Sequence, residues 1–117
     1  MSVQRLHTES RYSEIVIHNG TVYLAGQLAD DYSGDIVQQT RETLKNIEHL
    51  LDIAGTDKNH ILSVTIYLKD IDADFAGMNS EWDKWLPKGV QPARATVEAK
   101  LCEPEILVEL SVIAALP

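Results

Sequence analysis

The sequence predicts an α+β fold: one mixed β-sheet with two α-helices packed on a single face. Three observations carry that prediction. Apolar residues recur at helical spacing in two stretches, both amphipathic. Short β-rich runs lie around and between them, so the elements follow one another as β-ββ-α-β-α-β-β, with helices separated by strands. An Asn19-Gly20 pair divides two of those runs. It is the strongest short hairpin signal, because a type I′ turn needs positive φ at both central residues.

Val3 to His7 reads as a short strand, followed by a loop at Arg11-Tyr12-Ser13. Glu14 to His18 and Thr21 to Ala25 are the hairpin arms, and Gly26 ends the second. Asp30 to Gly34 is a polar loop. Asp35 to Ala54 is the first helix. Val37, Thr40, Leu44, Ile47, Leu51 and Ala54 draw one stripe, while Gln39, Arg41, Glu42, Lys45, Glu48 and Asp52 form a solvated face. Asp35 caps its start, Gln38 stands where a capping-box partner would, and Gly55 stops it.

Ile61 to Leu68 alternates, with Leu62, Val64, Ile66 and Leu68 on one side and Ser63, Thr65 and Tyr67 on the other. Asp72 to Leu86 is the second helix. Its N-cap is Asp72, its apolar stripe Phe75, Met78, Trp82 and Trp85, and its stop Pro87. Pro92 lacks the N–H a central strand needs, so a strand begins just after it, with Arg94 near its mouth. Ile106 to Ala115 is the last strand, apolar enough to be buried on both faces.

The 117 residues form one domain, 1–117, large enough for a core. No apolar run is long enough to span a membrane, and the first residues lack a signal core. The lone Cys102 excludes an internal disulfide, which fits a reducing, cytoplasmic setting. His7, His18, His49 and His60 show no metal-ligand spacing and read as surface residues. A formal net charge of −8 disfavours a nucleic-acid partner, which needs basic clusters.

The alternation then assigns faces. The helices would cover Leu62, Val64 and Ile66, then Ala95 and Val97, then Val108, Leu110 and Val112. The other face would carry Thr65, Tyr67, Arg94, Thr96, Glu98, Leu107, Glu109, Ser111 and Ile113. Apolar residues mixed with Arg and Glu there suggest coverage by another subunit, with a polar pocket at the seam. On that reading Arg94 and Glu109 project together from neighbouring strands. Spacing alone allows two meanings. One is a plain cross-strand ion pair, the commoner arrangement. The other is a carboxylate-gripping arginine beside a carboxylate that orients or deprotonates a water, with Tyr12, Asn79 and Thr96 adding hydrogen bonds.

At these residues the chain resembles the reactive intermediate deaminase (RidA) family of enamine/imine deaminases. The resemblance rests on Pro92 to Leu101, Val108-Glu109-Leu110, Ala25-Gly26-Gln27-Leu28, Thr65 to Asp70 and Phe75 to Asn79, and covers nearly the whole chain. It implies a chorismate-mutase-like α+β domain assembled as a homotrimer, with clefts between subunits. It implies hydrolysis of 2-imino acids such as 2-iminopropanoate and 2-iminobutanoate to 2-oxo acids and ammonia. Those imines are products of pyridoxal-phosphate dehydratases. Arg94 matches the family arginine that holds the carboxylate, and Glu109 the glutamate that positions water. Tyr12 and Asn79 match cleft residues, and no metal or organic cofactor is implied. Two departures stand out. Thr96 occupies a position where many members carry cysteine, and Ala25 one where many carry serine; both bear on substrate range more than on reaction type. The alternatives from other classes are a non-catalytic small-carboxylate-binding or regulatory protein on the same fold, and a ribonuclease or translation inhibitor. The negative charge argues against the last of these.

Overall fold

The computed structural model describes residues 2–117. Six strands form one sheet in the order β1-β2-β3-β6-β4-β5. They are β1 (Gln4–Thr8), β2 (Ser13–His18), β3 (Thr21–Leu24), β4 (Ile61–Leu68), β5 (Ala93–Glu98) and β6 (Val108–Ala115). Every pairing is antiparallel except β4 with β5, which makes the sheet mixed. The helices are α1 (Ile36–Ala54) and α2 (Ile71–Trp85). α1 packs over β6, β2 and β3, and α2 over β4 and against α1.

Local chemistry accounts for most boundaries. Asn19 and Gly20 have φ of 51° and 77°, the two positive values a type I′ turn requires. The Asp35 side chain accepts the Gln38 N–H, capping α1, and Gly55 at φ 93° closes it in the left-handed region. Gln38 does not complete a capping box. Its amide donates instead to Glu42 and Asp31.

The core lies between the sheet and the helices. Ile15, Ile17, Val22, Leu24, Val64, Ile66, Leu68, Val108, Leu110, Val112 and Ala114 meet Leu44, Ile47, Leu51, Met78 and Trp82 in one cluster. Registers such as Ile66↔Leu110 and Val22↔Ala114 keep these strand residues on one face. Each fully buried Leu or Ile contributes about 1.5–3 kcal/mol.

Several expectations are corrected. Leu62 is not in the core but about half exposed. A bulge between Ile61 and Ser63 flips the phase at the start of β4, so Ile61 takes the inward position. α2 is capped by Asp70, which accepts the Ala73 N–H, and not by Asp72, which lies in the first turn where the helix dipole favours it. Phe75 is exposed, and the buried apolar residues of α2 are Met78 and Trp82. Gln39, expected on the solvated face, is fully buried. Its amide donates to the carbonyls of Tyr32, Gly34 and Glu105 and accepts the Leu107 N–H, so burial leaves none of its polarity unsatisfied. β6 is buried on one face and half-buried on the other.

Candidate functional site

β5 is the edge strand next to β4. Pro92 precedes its first residue, where an absent N–H costs nothing. The parallel register pairs Arg94 with Val64, Thr96 with Ile66 and Glu98 with Leu68. Those partners are core residues, so Arg94, Thr96 and Glu98 face the helices and Ala95 and Val97 face away. This reverses the phase expected from the sequence. Alternation fails here because β5 turns a polar row toward a helix and leaves Val97 exposed.

The polar row meets α2. Arg94 Nη1 donates to Asn79 Oδ1 at 2.8 Å. The Arg94 guanidinium carbon stands 5.4 Å from the centroid of the Trp82 ring, a cation–π distance. Asn79 and Trp82 are three residues apart on α2 and therefore share a face. Glu98 Oε1 accepts the Ile71 N–H, adding a second acceptor at the α2 N-terminus beside Asp70. Between them the Thr96 hydroxyl oxygen is buried with no hydrogen-bond partner. Among the described residues Arg94 pairs with no carboxylate, so the cross-strand ion pair is absent.

Glu109 lies elsewhere. On β6 it is opposite Tyr67, on the face away from the helices. Arg94 is level with Val64 and Glu109 with Tyr67, three residues apart on β4, so the two side chains leave opposite faces. The strands are not neighbours either, since β4 separates them. One chain therefore does not bring Arg94 and Glu109 together.

Glu109 has its own surroundings. Gln27 and Leu110 exchange two backbone hydrogen bonds, at 2.8 and 3.1 Å, which hold the segment after β3 beside β6. A Cβ at Gly26 would collide with the Glu109 carboxylate, so only glycine leaves room for it. A cleft of about 350 Å³ is lined here by Gly26, Tyr67, Glu109, Ser111 and the Ala99–Cys102 loop. Tyr12, 54% exposed, borders a second cleft of about 340 Å³ with Glu14, Gln27, Asp30, Asn46 and His49, and Gly26 belongs to both. Cys102 is not at the Thr96 position, but it does line the Glu109 cleft. No periodicity marks this, because a tertiary bond from Ala99 N–H to the Leu68 carbonyl folds the loop back.

The chain thus carries two half-sites. One is an unneutralised guanidinium held by Asn79 and Trp82 beside a buried hydroxyl. The other is a carboxylate in an open polar cleft near a tyrosine. Among the described residues no group of three or more His, Cys, Asp or Glu could hold a metal ion, and no helix is long and apolar enough to cross a membrane.

The sequence profile of the family described as Endoribonuclease L-PSP matches residues 2–116. The chain is similar to the RutC family protein YoaB of Escherichia coli K12, with 41% identity over 115 residues, 98% of this chain and 99% of the other. It is equally similar, at 41% over 115 residues, to a RutC family protein of Haemophilus influenzae, covering 97% and 98% of the two chains. Among solved structures it superposes on an uncharacterized protein from Pseudomonas aeruginosa with TM-score 0.95 and 44% identity, covering 99% and 100%. It also superposes on a YjgF-family protein from Neisseria meningitidis with TM-score 0.96 and 39% identity, covering 100% and 97%.

Proposed function

Because the chain belongs to the endoribonuclease L-PSP family, the YjgF/RidA group, we propose that it hydrolyses 2-imino acids such as 2-iminopropanoate and 2-iminobutanoate. Water adds to the C=N carbon, and ammonia leaves with the nitrogen, giving the 2-oxo acid. The observation that carries this reading is the state of Arg94: a guanidinium fixed by Asn79 and Trp82 and left without an acid partner in a chain of net charge −8. Such a fork suits a small carboxylate.

The imine carbon is already electrophilic, so no covalent nucleophile is needed. The protein must hold the carboxylate, place a water and move protons as ammonia departs. Arg94 takes the first task and Glu109 the second, with Thr96, Asn79 and Tyr12 contributing hydrogen bonds. Since the two groups leave opposite faces of one sheet, the site is completed between copies, Arg94 from one subunit meeting Glu109 of the next in a homotrimer. Residues 1–117 act as one unit, in the cytoplasm and without a cofactor. The imines come from pyridoxal-phosphate dehydratases. The net charge disfavours RNA cleavage, despite the family's description.

One observation favours a second reading. A chain acting alone presents Arg94 to a ligand carboxylate but places no acid group beside it to activate a water, which describes a small-carboxylate-binding protein rather than an enzyme. Addition to a threonine dehydratase reaction separates the two. Faster release of ammonia and 2-oxobutanoate supports hydrolysis, whereas 2-oxo acid binding with no acceleration supports the binding protein.

A further inference from the structure

Arginines that bind substrates are commonly oriented by a carboxylate, which also neutralises them. Arg94 is oriented differently. Its partners on α2 are the neutral Asn79 amide, which takes one N–H, and the Trp82 ring, over which the guanidinium carbon lies. A neutral amide and a ring hold the guanidinium in place without neutralising it. Its charge, with no acid partner among the described residues, is what a carboxylate uses in a charge-assisted grip.

Trp82 is itself held in place. It is 6% exposed and belongs to the core cluster. Its ring lies 5.7 Å from that of Trp85 at an interplanar angle of 48°. Trp85 is in turn tied down by a hydrogen bond to Glu48 and by Lys58 over its ring. The indole is therefore a preset platform and not a surface side chain that happens to lie nearby.

We propose that Trp82 is a positioning residue for substrate binding: its indole face fixes the Arg94 guanidinium while leaving the arginine's charge available to the substrate carboxylate. This rests on the imine-hydrolase reading and deepens it, since it assigns the arginine's orientation to a residue that does not touch the substrate.

The test compares Trp82→Leu and Trp82→Phe with the unaltered protein. The readouts are the dissociation constant for 2-oxobutanoate, kcat and KM for imine hydrolysis, and the NMR position of the Arg94 Nε–H. Its place over the indole ring should shift that resonance upfield. Trp82→Leu should abolish the shift and raise Kd and KM about three- to tenfold, with kcat within about twofold. Trp82→Phe, which keeps a weaker ring, should fall between. A loss of folding alone would lower the active fraction and hence kcat, without raising KM. A folded Trp82→Leu protein with unaltered Kd and KM overturns the proposal. If the leucine protein does not fold, a phenylalanine protein with unaltered resonance position and Kd does the same. Failure of the unaltered protein to bind 2-oxobutanoate or hydrolyse imines is a different result, and it removes the underlying reading.

Discussion

Arg94 and Glu109 leave opposite faces of the same sheet, with β4 between their strands. Neither carries a counter-ion among the described residues. Each is thus a charge without its complement, and a shared site requires a second copy of the chain.

That relationship can be tested by complementation. Arg94→Ala should lose about 10²-fold or more in kcat/KM, and Glu109→Gln should lose a similar factor, mainly in kcat. Refolded together at equal amounts, the two inactive proteins should recover about a quarter of the original activity, because a cleft is intact only when each neighbour supplies its unaltered half. A mixture as inactive as its components would show that both groups act from one chain.

Gly26→Ala should separate activity from stability. The added Cβ meets the end of the Glu109 side chain, which can swing away at little cost. The melting temperature should move by no more than roughly 2–4 °C. Displacing the carboxylate by about 1 Å should lower kcat by about 10²-fold. Unchanged kcat would mean that the position of Glu109 does not matter.

Thr96→Val tests the buried hydroxyl. Its oxygen has no partner, so an apolar group of the same shape should leave stability equal or raise it by about 1 kcal/mol. If the hydroxyl is reserved for a ligand, KM should rise in the same protein. A drop in melting temperature with unchanged KM would mark Thr96 as purely structural.

Stability in acid should report Glu81. Hydrogen bonds from Arg41 hold its carboxyl below the usual glutamate range, with the Arg41 and Lys84 charges adding and desolvation opposing. A depressed folded-state pKa stabilises fully above the unfolded value of about 4.3, and the gain is lost as pH falls through the folded value. Glu81→Gln should therefore melt a few degrees lower, roughly, at neutral pH. That gap should shrink as pH falls below the unfolded value of about 4.3 and through the lower folded value. Calorimetry showing a gap independent of pH would exclude this origin.

The helices and the hairpin were legible because each carries its own local cause. Asp35, Gly55 and Asn19-Gly20 act within a few residues of themselves. The phase of β5 was not legible. Alternation places apolar residues inward, yet Arg94, Thr96 and Glu98 face α2 because that helix offers Asn79, an indole face and a free N–H. Leu62 misled for a related reason: a one-residue bulge leaves no mark in a run of apolar residues. Gln39 looked like surface because its four partners lie in loops up to 68 residues away. The candidate residues themselves were legible in residue type and family likeness together, whereas the division of Arg94 and Glu109 between two faces is visible only in the sheet register.

β6 lies between β3 and β4 although it follows every other strand in the chain. During synthesis, the hairpin side and the β4–β5 side of the sheet are therefore made as two separate pieces with no strand yet to join them. Until residues 108–115 have left the ribosome, each piece exposes an unpaired edge and one side of the future core. The chain is accordingly most vulnerable until that strand is in place, and one cut before residue 108 would hold two half-sheets rather than a slightly trimmed fold.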